Sequence, residues 1–306
     1  MNNLQSLTAI ILTYNEEMHL QRCLDSLKDV CSDIIVVDSY STDTTTAIAI
    51  ANGARVYQNK WTNHATQINW GIANGEIDTA WVIRVDADEY LTKELATDIK
   101  NKLSGIDSSI HGLRVKRLMY FLDKPLKKAG MYPIWHVKLW RNGSAICEQR
   151  WMDERMKILQ GETAHLDGDL VDHNLNNITW WTQKHNGYAT REAIDILDKL
   201  YNFTNSESVK ANLFGKGEER RRWFKLRYLK LPLFLRPFLF WFIRYFLQGG
   251  FLEGKRGFVW NILQCGWYRF LVDAKIYEAY RAAGKNKEGL IQHFKNEYGY
   301  DVTKVG

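Results

Sequence analysis

No glycine-rich phosphate loop occurs in this chain: neither GxGxxG nor GxxxxGK[ST] can be found. A nucleotide bound here would not rest its phosphates on a backbone cradle, so a metal would have to neutralise them. Paired cysteines are also missing. Cys23, Cys31, Cys147 and Cys265 are scattered with no CxxC pair, which argues against a disulfide framework or a structural zinc site and for a reducing compartment. Met1 to Ser6 is polar and leads straight into an apolar stretch, without the basic and apolar regions of a secretory leader. Internal repeats, low-complexity stretches, clear linkers and nucleic-acid recognition motifs are absent as well.

What is present is globular. Hydrophobic residues make up 45% of the 306 and charged residues 25%, a balance that supports one large or two modest domains. The formal net charge of +6 suits an anionic partner: a phosphorylated ligand, a membrane surface or a nucleic acid.

The first hundred residues alternate between β-rich runs and helical patterns. Leu7–Thr13 reads as a strand, and Leu20, Leu24 and Leu27 share one helical face. Asp33–Asp38 is a second strand. Asp43 is placed to cap a helix over 44–52, with Gly53 behind it, and 54–57 is a third strand. A helix over 63–74 precedes the apolar run Trp81–Val85, and Thr92 caps a helix to about Leu103. Such alternation implies a mostly parallel sheet with helices on both faces. Strands one, two and four run into Glu16, Asp38, and Asp86 with Asp88. In open α/β sheets ligands bind beyond the carboxyl ends of the strands. Carboxylates there suit a hard divalent cation; the alternative is an acidic loop that only caps the next helix. Read as extended chain, Asp86 and Asp88 point one way and Glu89 the other, which assigns Glu89 to structure, at the start of the Thr92 helix.

Further on, 110–119 and 137–141 read as strands. Asp153 and Glu154 follow Trp151 and Met152, apolar neighbours that would raise a carboxylate towards the range of a general base; pairing of Glu154 with Arg155 in a solvated turn is the other reading. His165 and His173 flank an acidic segment. From about Asn176 the pattern turns helical, which divides the chain into 1–175 and 176–306. Between about 216 and 250, basic residues (Lys216, Arg220, Arg221, Arg222, Lys225, Arg227, Lys230) give way to an almost wholly apolar run, interrupted by Arg236, Pro237 and Arg244. It is too short and broken to span a bilayer but has the composition of an interfacial segment on an anionic membrane surface; a buried hairpin is the alternative. A last long helix is expected over 256–283.

In order and spacing, these pieces resemble the family 2 glycosyltransferases of the GT-A fold, in the bacterial branch that builds lipopolysaccharide core, O-antigen or capsule. The matching pieces are Thr13-Tyr14-Asn15-Glu16-Glu17, Val37-Asp38-Ser39-Tyr40-Ser41-Thr42-Asp43-Thr44, Gln67-Ile68-Asn69-Trp70-Gly71, Val85-Asp86-Ala87-Asp88-Glu89, His136–Arg141, Met152-Asp153-Glu154 and Gly249–Gly257. The resemblance implies a metal-dependent, inverting sugar transferase with a GT-A type, Rossmann-like sheet and a C-terminal helical, membrane-associating region. It implies a UDP-sugar donor held by Thr13, Tyr14, Asn15, Glu16, Asp38, Gln67, Asn69, Arg84, Asp86 and Ala87. Mn2+ or Mg2+ would sit on Asp88, Asp86 and His173, with Glu154 or Asp153 as base. The acceptor would be a lipid-linked or lipopolysaccharide saccharide at the inner face of the cytoplasmic membrane, with no nucleic-acid partner. Three positions depart from the branch. Tyr40 stands where glycine is usual, so the loop is expected to be shaped differently. Ile68 replaces a basic residue, and Asp153 a histidine. The rival readings are a nucleotidyltransferase and a non-catalytic membrane-surface scaffold.

Overall fold

The computed structural model describes residues 7–152, 154–204, 223 and 227–304. They fall into two compact units, Met1–Gln149 with Glu154–Leu175, and Arg150–Asp153 with Asn176–Gly306.

The strands of the first unit are β1 (Leu7–Thr13), β2 (Asp33–Asp38), β3 (Arg55–Gln58), β4 (Trp81–Asp86), β5 (Glu89–Leu91), β6 (Ile110–Phe121), β7 (Lys124–Pro125), β8 (Ile134–Arg141), β9 (Ala145–Cys147), β10 (Met156–Ile158) and β11 (Glu162–Asp172). One mixed sheet runs β3-β2-β1-β4-β8-β6-β11-β5, with β7 beside β6, and β9 and β10 form a separate hairpin. β1, β2, β3 and β4 are mutually parallel. β8 runs against both β4 and β6, so β6 and its parallel neighbour β11 share the direction of β4. The carboxyl ends of β1, β2, β4 and β11 therefore lie along one edge.

The period of two in the strands builds both faces. Ala9, Ile11, Val36, Ile83 and Val85 pack against the helices α1 (Leu20–Leu27), α2 (Thr45–Ala51) and α4 (Lys93–Leu103), through Leu20, Leu24, Leu27, Ala49, Leu95 and Ile99. Ile10, Ile35, Val37 and Val82 pack on the other face against α3 (His64–Asn74), with Trp140 and the β9–β10 hairpin. Helix starts follow the capping signals. Thr92 accepts from Leu95 N–H at 3.3 Å and Asn63 from Thr66 N–H at 2.7 Å, while Asp43 accepts from Thr45 N–H at 3.0 Å. Strand β11 was not expected: its alternation is hidden by charged residues, and His165, Asp167 and Asp169 belong to a bulged strand paired with β6 rather than to a loop.

The second unit is helical: α5 (Ile178–Tyr201), α6 (Leu235–Phe242), α7 (Gly254–Trp260), α8 (Tyr268–Ala283) and α9 (Lys287–Tyr298). Its core joins Ala189, Ala193, Ile194 and Leu197 of α5 to Val272, Ile276 and Ala279 of α8 and Leu290 and Phe294 of α9, with Trp151. The expected single helix over 256–283 is instead interrupted by a π-helical turn at Asn261–Trp267. Lys216, Arg220, Arg221, Arg222 and Lys225 of the expected basic segment lie outside the described residues. Arg236 and Asp273 are both almost fully buried and paired: Arg236 Nε donates to Asp273 Oδ1 at 2.7 Å, and Asp273 Oδ2 accepts from Phe234 N–H at 2.9 Å.

Removing one member of a buried pair strands the other charge. Arg236→Met is expected to cost about 3–5 kcal/mol in urea unfolding, and adding Asp273→Asn to recover a large part of it. Equal losses in the single and double variants would show that the two groups are not coupled.

Candidate functional site

The site lies at the edge where β1, β2, β4 and β11 end. Register places Thr13 opposite Asp38, and Leu12 opposite Asp86. The loops leaving β1 and β2 are stitched together. Asn15 N–H donates to Ser41 Oγ at 2.8 Å, and Asn15 Oδ1 accepts from Thr42 N–H at 2.8 Å. Glu16 N–H donates to Thr45 Oγ1 at 2.7 Å, and Glu17 accepts from Thr44. Asp38 is fully buried; its carboxylate accepts from Thr13 Oγ1 at 2.9 Å and from Ser41 N–H at 2.8 Å. Glu16 holds His19 Nδ1 at 2.6 Å, and His19 Nε2 accepts from Leu175 N–H. Tyr14 and Tyr40 stand exposed beside these loops.

Tyr40 sits at a left-handed position of its loop. It adopts φ +63° itself, the left-handed conformation that glycine takes without cost, and a Cβ there costs about 1–2 kcal/mol. Tyr40 thus takes a backbone conformation open to glycine and accepts the strain of a Cβ there.

The acidic stretch after β4 is also unlike an extended segment. Ala87 and Asp88 form a turn, and β5 begins at Glu89. Glu89 does not lead into the Thr92 helix. Its buried carboxylate folds back, accepting from Asp86 N–H at 3.0 Å and from Lys138 Nζ at 2.5 Å. Lys138 Nζ also lies 3.4 Å from Asp86 Oδ2. Arg84 Nε donates to Asp86 Oδ1 at 3.2 Å, and His64 Nε2 is 3.7 Å from the same oxygen. Burial opposes charge on Asp86, but Arg84 and Lys138 outweigh it and hold its carboxyl well below the usual range. Burial pushes Glu89 up to about 7 against the pull of Lys138.

Asp88 is held from the other side. Its Oδ2 accepts from Asn174 Nδ2 at 3.0 Å, and its carbonyl accepts from His173 N–H at 3.1 Å. Arg22 of α1 donates to the carbonyls of His173 (2.5 Å) and Asp88 (3.4 Å), with its guanidinium 4.7 Å from the Tyr90 ring centroid. Asp172, at the end of β11, is raised to about 6 by burial and then by the nearby charge of Asp88. His173 is turned to other partners: Nδ1 to Arg22 at 3.1 Å and Nε2 to Asp123 at 2.9 Å.

Asp88 and Asp172 carry hard carboxylate oxygens of the kind that Mg2+ or Mn2+ takes, and Asp172 also lies 3.7 Å from Arg117. Among the described residues no three His, Cys, Asp or Glu side chains converge on one point.

Two α3 residues expected near the donor serve the scaffold. Gln67 is fully buried, donating to Ser39 Oγ and to the Asn59 carbonyl, each at 3.0 Å. Asn69 donates to the Cys147 carbonyl and accepts from Cys147 N–H, both at 2.9 Å, so it fixes the root of the β9–β10 hairpin. Ile68 is a core residue beside Ile10 and Val37. Glu154 lies at the return of that hairpin, whose loop is closed by Glu148 N–H on the Arg155 carbonyl at 2.9 Å; Asp153 lies outside the described residues. Ala87 is buried in the core. Lys138, Asp172, Arg22 and Asn174 were not anticipated. Lys138 alone had left a signal, a charged residue inside an apolar strand.

Comparison with known proteins gives a consistent picture. Residues 8–153 match the family model described as Glycosyl transferase family 2. A lipopolysaccharide core biosynthesis glycosyltransferase of Rhizobium meliloti, LpsC, is 26% identical over 94% of this chain and 98% of its own length. An uncharacterised glycosyltransferase of Rickettsia felis is 37% identical over 32% of this chain, and the match spans about a third (34%) of that protein. A Mycobacterium tuberculosis glucosyl-3-phosphoglycerate synthase, solved with Mn2+ and UDP, aligns at 21% identity over 38% of this chain and 44% of its own, with a TM-score of 0.30, too low to support any conclusion.

Two outcomes follow from this geometry. Tyr40→Gly is expected to raise stability by up to about 1 kcal/mol, net of glycine's own entropy cost, seen as a higher Tm; a lower Tm would show that the ring packs. His136, on β8, is pushed down to about 3 by burial and then by Arg117 of β6, Lys138, Arg155 and Arg84. Its unfolded form titrates near 6.5, so between about 6.5 and 3 the unfolded state binds the extra proton and stability falls as pH falls. Tm should drop from pH 7.5 to 4.5, and His136→Gln should drop less; an identical slope in both would remove His136 as a cause.

Proposed function

We propose, from the match of residues 8–153 to the family 2 glycosyltransferase model, that the protein transfers a hexose or N-acetylhexosamine from a UDP-sugar to a lipid-linked or lipopolysaccharide-core saccharide. Transfer inverts the anomeric centre and forms a β-linkage. The reading is carried by one observation: the acidic edge, where Asp38, Asp86 and Asp172 end parallel strands and Asp88 follows in the turn, with Arg84 and Lys138 among them. Its place in surface polysaccharide assembly is supported by the likeness to LpsC over nearly the whole chain.

The roles follow from the chemistry. The exposed loops after β1 and β2, with Tyr14, Asn15 and Glu16, receive the nucleoside, and Asp38 sets their shape through Thr13 and Ser41. Asp88, with Asp86 and Asp172 beside it, would hold Mn2+ or Mg2+; His173 could join only by releasing Asp123 and Arg22. When bound, the cation neutralises the charge that develops on the departing diphosphate. An acceptor hydroxyl has a pKa far above neutrality and needs a base aligned for attack opposite the nucleotide. Glu154 takes that proton as the new C1–O bond forms and the bond to the diphosphate breaks. The acceptor's lipid places the work at the inner face of the cytoplasmic membrane, with the second unit against an anionic surface. No described helix is long and apolar enough to cross a bilayer.

Glu154→Gln should keep Mn2+-dependent UDP binding and lose transfer by about 10²–10⁴-fold. Asp153→Asn, measured in parallel, decides between the two adjacent carboxylates. Asp88→Ala should lose the cation dependence of UDP binding. The donor panel is UDP-glucose, UDP-galactose, UDP-N-acetylglucosamine and a GDP-sugar. A wild-type chain that neither binds UDP with Mn2+ nor turns over any of these would return the protein to the scaffold reading.

A further inference from the structure

The apolar surface of the second unit is not confined to one segment. The arm formed by α6 and its π-helical continuation Ile243–Leu247 packs antiparallel on α7, the π turn behind it and the start of α8. Phe238 meets Phe270 at 6.3 Å and Tyr245 meets Phe258 at 5.9 Å between ring centroids, while Trp241 lies beside Gly266. Gly249, at φ +71°, and Gly250 turn the chain between the arms. A Cβ on Gly250 would come within 2.6 Å of Asn261 Nδ2, so glycine is required for the arms to close.

This hairpin exposes large apolar side chains along both arms and at its tip. Leu235, Phe238, Phe242 and Ile243 are exposed on the first arm, and Phe258, Val259 and Ile262 on the second. At the tip Leu247 is 71% and Leu252 63% exposed, with Phe246 and Phe251 beside them. An apolar patch on this scale marks a binding surface. Three of the tip's N–H groups are bonded within it: Gln248 N–H reaches Ile243 O, Gly249 N–H reaches Phe246 O and Leu252 N–H reaches Gly249 O. Hydrocarbon demands that of any segment entering it.

Charge identifies the occupant. Of the six basic residues between Tyr228 and Val272, Arg236 is buried on Asp273, Arg269 pairs with Glu192 and Arg256 with Glu253, so the surface charge rests on the exposed Lys230 and Lys255, with Arg244 half-buried on the first arm. Length limits the depth. The arm Leu235–Leu247 spans about 20 Å at 1.5 Å per residue, less than the roughly 30 Å hydrocarbon core.

We propose that this hairpin is a monotopic insertion device: its tip, Phe246–Leu252, enters one leaflet of an anionic phospholipid bilayer, and the exposed Lys230 and Lys255 meet the headgroups. This deepens the membrane part of the reading above and is independent of its sugar-transfer part. It also moves the contact from a flat basic segment at about 216–250 to a knob that includes Phe251, Leu252, Phe258, Val259 and Ile262.

The test is vesicle flotation of the full chain without donor, on phosphatidylcholine–phosphatidylglycerol vesicles in 0.1 and 1 M NaCl. Insertion predicts that the wild type still floats in 1 M NaCl. The triple variant Phe246→Glu, Leu247→Glu, Leu252→Glu should float at least tenfold less, with unchanged Tm and UDP binding. Release of the wild type by 1 M salt would overturn the proposal in favour of a headgroup contact alone. So would failure to float together with a dimer, in light scattering, that the triple variant abolishes, because the face would then join two copies. Loss of UDP binding in the wild type would sink the transferase reading and leave this one standing.

Discussion

Lys138 sets the shape of the acidic turn. Three carboxylates within four positions repel one another strongly in a low dielectric, and burying them demands a counter-charge with good geometry. Lys138 supplies it from β8, touching Glu89 and Asp86 together, and Arg84 adds a second cation on Asp86. With Glu89 and Asp86 drawn to the cations, Asp88 is left as the acid of the turn whose carboxylate accepts from the amide of Asn174. The division of labour among the three acids is thus decided by a residue some fifty positions later, on a strand running the other way.

That reversed strand also shows what the sequence could not disclose. The parallel strands β1, β2 and β4, their helices and caps, and the edge shared by Glu16, Asp38 and Asp86 were all legible, because alternation, capping residues and apolar runs are local signals. The chain must leave a parallel strand at its carboxyl end, so acids placed there are easy to find. An antiparallel strand brings its amino-terminal half to the same edge, and His136 and Lys138 enter from there. Nothing local marks that reversal. Asp172 was hidden similarly, since β11 is studded with charged residues that obscure its alternation.

The α3 amides teach a related lesson. Gln67 and Asn69 lie in a stretch that resembles a ligand-binding motif, yet both are spent on backbone and side-chain partners inside the scaffold. A polar residue can persist in a pattern because it holds the wall of a site upright. Buried amides of this kind fix geometry through satisfied hydrogen bonds, and sequence spacing alone does not separate that from ligand contact.

Asn69 has a further effect on the segment that carries Glu154. It pins Cys147 to α3, and Met156 pairs with the same residue across the hairpin. The two ends of the intervening segment, Cys147 and Met156, are thereby held side by side. Loop-closure entropy is then settled once, when the chain folds. A proton acceptor at the return of such a loop would not have to be gathered from a wandering segment at each turnover, so its alignment would cost little entropy in the transition state.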